Sequence, residues 1–211
     1  MNSQEASKRI SVLMAFDHLC RHHPFDDITV QDICDASGVS RSSFYRSFAS
    51  KYHISTWYQD LLLEASLGEA GRTLDWCGAF SAYHSGWRLF PAMNLAAKGQ
   101  GGIESTEALW PPKVCSLVLE TLRLCKGIEA EGALLFHIHY FSITTRPQSK
   151  KPMAPWVDEI YDCSPQEYGS LMAATVPHDL YQLLNEPVNP GGCAVLDLST
   201  LFMRAQRGQG V

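Results

Sequence analysis

Between residues 28 and 51 the chain reads ITVQDICDASGVSRSSFYRSFASK, and the second half of this stretch gathers the side chains most suited to polar recognition. Phe44 and Phe48 stand four apart and share one helical face, which leaves Arg41, Ser42, Ser43, Tyr45 and Arg46 facing outward. Forked guanidinium donors and short hydroxyls at the start of a helix suit base edges in a major groove, and flanking hydroxyls and cations suit phosphate. From Ser40 to Lys51 the chain holds three cations (Arg41, Arg46 and Lys51) and no acid. The plainer reading of the same residues is a small helical hairpin with a solvated cationic face.

Such a helix needs elements to hold it. Thr29 with Asp32 three residues on is a capping-box start, and Val30, Ile33 and Cys34 share the buried face of the helix that follows. Ala36 is small enough to predict a close helix crossing, Gly38 predicts a left-handed end to the helix, Val39 fills the corner, and Ser40 caps the next helix. Together these features predict a helix-turn-helix.

The segment from about residue 7 to 63 resembles the DNA-binding domain of the tetracycline-repressor (TetR/AcrR-like) family of bacterial transcription regulators. The resemblance rests on Val12, Ala15, Phe16 and Leu19, then Thr29, Ile33, Gly38, Val39 and Ser40, then Phe44, Tyr45, Phe48 and Lys51. It implies an all-α fold, with a helix-turn-helix head over 1–50 joined by a long helix to a ligand-binding and dimerisation domain over 51–186, and an irregular tail over 187–211. It further implies a homodimeric repressor on a palindromic double-stranded operator, modulated by a small-molecule effector. By the same resemblance Thr29, Gln31, Tyr45, Ser47 and Lys51 sit where the family contacts phosphate, with Arg46 beside them; the forked guanidinium of Arg41 suits a guanine edge, and Ser42 and Ser43 suit bases or water. Gln31 departs from relatives, which are often basic there. The stretches SKYHISTW at 50–57 and AAKGQGG at 96–102 resemble a subgroup that regulates dihydroxyacetone-kinase operons.

With 211 residues, 45% of them hydrophobic, the chain can bury a core that serves a small head and a larger domain. A net charge of −5 argues against indiscriminate coating of nucleic acid. Residues 1–53 hold six cations and six acids, so the excess acid lies further along. Seven scattered cysteines without a C-x-x-C pair predict reduced thiols and no metal site, and the absence of a long apolar run predicts a cytoplasmic protein without a membrane span. No nucleophile elbow, phosphate loop, dinucleotide fingerprint or zinc-protease motif occurs, so neither an enzyme nor a cofactor is expected. The rival to a regulator is a helical partner-binding or scaffold protein with a degenerate DNA-binding head.

Hydrophobic periodicity predicts helices near 4–22 and 51–67, then near 75–85 and 86–97, with a glycine loop over 99–102. Further helices are predicted over 113–126, 129–145, 156–161 and 164–185, with a basic loop over 146–155. Leu196 to Met203 can dock as a short helix. The resemblance assigns the helices near 129–145 and 164–185 to a four-helix dimer bundle. The stretch from 74 to 95 is the most aromatic, and in this family it adjoins an internal cavity. Trp87, Phe90, His137 and Tyr140 are the ligand-binding candidates.

Overall fold

In the computed structural model, residues 3–97, 106–145 and 163–207 are described. Eleven α-helices and no strand form among them. The predicted loops at 99–102 and 146–155 and the helix at 156–161 lie outside the described residues.

The head consists of α1 (Ser3–His22), α2 (Val30–Ser37) and α3 (Arg41–Ser47). Val12, Leu13 and Phe16 bury the inner stripe of α1 against Ile33, Phe44 and Phe48. Pro24 follows the end of α1 and leads into a 3-10 turn at Phe25–Asp27. The capping box at the start of α2 is complete, with Asp32 N–H donating to Thr29 Oγ1 at 3.2 Å and Thr29 N–H donating to the Asp32 carboxylate at 2.8 Å. Gly38 ends α2 at φ 69°, a conformation a β-carbon would strain. Ala36 is exposed, so it is not the close-crossing residue the sequence predicts; Ile33 and Cys34 take that side of the helix.

The helix α4 (Lys51–Ala65) leaves the head and enters the body. There it meets α5 (Trp76–Trp87), α6 (Pro91–Ala97) and α7 (Thr106–Thr121). Buried Tyr58 donates its hydroxyl to the Gly86 carbonyl at 2.5 Å, and the Lys113 ammonium spans Asp60 at 2.8 Å and Glu64 at 2.6 Å, fastening α4 to α5 and α7. The helix α7 starts ahead of Pro111 and Pro112 rather than after them as predicted. Each proline removes a helix hydrogen bond, but Trp110, 1% exposed and edge-on to Tyr83, anchors that turn in the core. A π-turn at Leu122–Lys126 then closes on Gly127.

Next come α8 (Gly132–Thr144), α9 (Pro165–Ala173) and α10 (His178–Leu184). The stretch expected over 164–185, broken or kinked at Pro177, is broken: two helices are separated ahead of that proline. Ser164 and Glu167 form a second complete capping box at the start of α9. Gly169 lets α9 lie against α5, where a β-carbon would collide with Ser81 and the Cys77 carbonyl.

The tail is irregular only up to its last helix, which lies where the sequence allows a short helix over 196–203. Val188 and Asn189 donate backbone N–H groups to the carbonyls of Gly71 and Arg72, and Leu196 N–H donates to Ser85 Oγ at 2.8 Å. The last described helix, α11 (Leu198–Arg207), buries Leu201 and Ala205 and packs on both α1 and α4. A second link joins head to body: the buried Asp17 of α1 accepts the Met93 N–H of α6 at 3.0 Å and pairs with Arg21 at 2.8 Å.

Candidate nucleic-acid interface

The short helix α3 is fixed by its buried side. Phe44 and Phe48 are 0% and 1% exposed, Ser40 caps the start by accepting Ser43 N–H, and Phe48 N–H closes the end on the Phe44 carbonyl. This seating turns Arg41, Ser42, Tyr45 and Arg46 to the surface, with Ser43 half-buried between them. The Arg46 guanidinium donates to Ser43 Oγ at 2.7 Å, and the Ser40 and Ser42 hydroxyls lie 3.2 Å apart. The Arg41 guanidinium makes no hydrogen bond or ion pair among the described residues. Its fork is therefore available to an external acceptor pair such as the O6 and N7 atoms of guanine.

Three residues expected at the phosphates are used otherwise. Lys51 Nζ donates to the carbonyls of Phe25 at 2.7 Å, Asp26 at 3.0 Å and Ile28 at 2.8 Å. An ammonium has three donors, and all three tie the 3-10 turn to the start of α4. Ser47 lies buried beside Phe44 on the inner face of α3. Thr29 gives its hydroxyl proton to Asp32 at 2.7 Å and its N–H to the same carboxylate, so no donor remains for phosphate. Those bonds, the hydroxyl first, hold the Asp32 carboxyl below the usual range.

Gln31 is exposed and donates to Asp35 at 2.8 Å, which leaves its second amide proton free to reach outward. Two other head cations are structural. Arg9 lies buried, 5.3 Å from the ring centre of Phe48 and 5.2 Å from that of Trp57, and Arg21 pairs with Asp17. On the recognition face of α2 and α3, Arg41 and Arg46 carry the positive charge.

In the body, the four ligand candidates do not converge. Trp87 and Phe90 are core residues, Phe90 edge-on to Tyr58 at 5.0 Å. Tyr140 is 56% exposed and cannot line an interior cavity with them. His137 Nδ1 sits 2.8 Å from Asp179, joining α8 to α10. A different interior set is contiguous. Gln59 Nε2 donates to the Tyr83 hydroxyl at 3.3 Å, Tyr83 meets Trp110, and Ser55 lies one turn from Gln59 on α4. All four are buried, and Ser55 Oγ and Trp110 Nε1 have no hydrogen-bond partner among the described residues. Buried donors of this kind ordinarily meet a water or a ligand. Local sequence carries no signal for this set, because Gln59 meets Tyr83, and Tyr83 meets Trp110, only through tertiary packing.

Residues 17–54 match the model of the family described as bacterial regulatory proteins, tetR family. The match runs from the second half of α1 to the start of α4, so it supports a DNA-binding helix-turn-helix head of that type. No curated protein matches the chain. Of the two stretches that resemble the dihydroxyacetone-kinase regulators, residues 50–57 open α4, and the second leaves the described residues after Ala97.

Proposed function

From that head as premise, we propose that the protein is a transcription regulator, a repressor, that binds a palindromic operator as a homodimer. The observation carrying this reading is the outward set Arg41, Ser42, Tyr45 and Arg46 on a helix whose opposite side is locked by Phe44 and Phe48. Arg41 reads a base edge, Ser42 and Ser43 add short-range donors, and Gln31, Tyr45 and Arg46 hold phosphates. The second copy is supported by α8, where Phe136, Tyr140 and Ile143 are 64%, 56% and 55% exposed along one face. A stripe of large apolar side chains in water favours burial against its symmetry mate. A small molecule is supported by the buried donors of Ser55 and Trp110, which lack a hydrogen-bond partner among the described residues and offer a second place for a polar ligand group beside the four candidates drawn from the sequence.

The test is binding of the full chain to duplex from its own upstream intergenic region, against a scrambled duplex, at two salt concentrations, for wild type and Arg41→Ala. A dihydroxyacetone-kinase operator makes a third duplex. Selective, salt-sensitive binding lost in Arg41→Ala is expected. One observation favours the second reading, a partner-binding protein with a degenerate head: Arg9, Arg21 and Lys51 serve the structure, so little positive charge faces outward. Binding that ignores both sequence and salt establishes that reading instead.

A further inference from the structure

We propose that Cys115 and His139 form a covalent modification site for small neutral Michael acceptors, in the open groove between α7 and α8. Cys115 Sγ lies 3.6 Å from His139 Nδ1, and both residues line a groove of about 860 Å³, within the range of small-molecule sites. A thiol needs a proton acceptor to react as the nucleophile, and an imidazole with its proton on Nε2 offers Nδ1 for that purpose. Cys77 instead meets Ser170 and Gln166, and Cys193 donates to the Val195 carbonyl, so neither of those thiols faces a base there. Burial pushes the Cys115 thiol up, which keeps it unreactive until the imidazole takes its proton.

The groove walls select the partner. Leu119 and Leu135 supply apolar surface, and Glu120 and Glu129 against Arg123 leave a slight negative balance that disfavours anions. In the reaction the sulfur forms a C–S bond to the β-carbon of an α,β-unsaturated carbonyl, and the π-electrons move onto the carbonyl oxygen. The thiol proton passes to His139 Nδ1 and from there to the α-carbon. No oxidant or reductant enters. The site stands independently of whether the chain binds DNA.

The experiment treats the full-length protein with methyl vinyl ketone from pH 5.5 to 8.5 and follows each cysteine by peptide mass spectrometry. Cys115 is expected to react about tenfold faster than Cys34, which is buried to a similar degree, with a rate that rises as the pH is raised. His139→Gln keeps the size and polarity of an exposed residue, and should slow Cys115 about tenfold at pH 7 while sparing Cys193. Independently, Cys115→Ser should shift the NMR titration of His139. Equal rates for Cys115 and Cys34, an unchanged rate in His139→Gln, or an unmoved His139 titration each overturn the proposal.

Discussion

Arg41 and Lys51 lie ten residues apart on one recognition motif and play opposite parts. Arg41→Ala should cost about 1–3 kcal/mol of discrimination between operator and mismatched duplex, because it deletes the proposed base contact and leaves the buried side of α3 untouched. Lys51→Met should leave the salt dependence of DNA binding unchanged while lowering stability by about 1–3 kcal/mol in urea unfolding, since three carbonyls lose a charged donor. Thr29→Ala should cost about 1 kcal/mol as a lost cap. In the same variant the Asp32 titration, followed by NMR, should return upward toward that of an ordinary carboxylate. The caps were legible in the sequence because a cap is chemistry between residues three apart. The Lys51 clamp was not, because its partners lie 23 to 26 residues back and become neighbours only when α4 docks.

At the scale of elements, the contact between α8 and α10 rests in part on His137 and Asp179. Burial pushes the Asp179 carboxyl up, but the hydrogen bonds from His137 and Leu180 N–H, with the imidazole charge, outweigh it and hold the group below its ordinary value. A depressed carboxylate contributes stability above its unfolded value near pH 4, and that contribution is lost as pH falls through the folded value. Asp179→Asn should therefore lower the urea midpoint at pH 6 and converge with wild type only once the pH has fallen below the lowered folded value. With both side chains 39% exposed, the difference should stay within about 1 kcal/mol. In α11, Leu201→Ala should cost about 2–5 kcal/mol by thermal unfolding, as its side chain is fully buried. Periodicity located most helices but misplaced ends where tertiary burial overrode local signals. Trp110 carried α7 through two prolines, and the tail became helical where Leu201 and Ala205 could be covered by α1 and α4.

For the whole molecule, the low outward charge of the head sets the expected salt behaviour. Of the two α3 arginines, Arg46 is the one proposed to hold phosphate, which gives two such contacts in the proposed homodimer, and log K against log salt should fall with a slope on the order of −2, a shallow dependence for a specific binder. Phe136→Glu, at the most exposed position of the α8 stripe (64%), should yield a monomer by sedimentation and weaken operator binding without unfolding the chain. The contact of α11 with α1 also has a consequence for biosynthesis. The helix nearest the start of the chain is completed by the helix nearest its end. At roughly 5–20 residues per second, the head waits on the order of ten seconds or more on the ribosome before its last packing partner is made. The head is thus made well before α11 can cover it, so a truncated product lacking α11 carries the recognition helix without its full support.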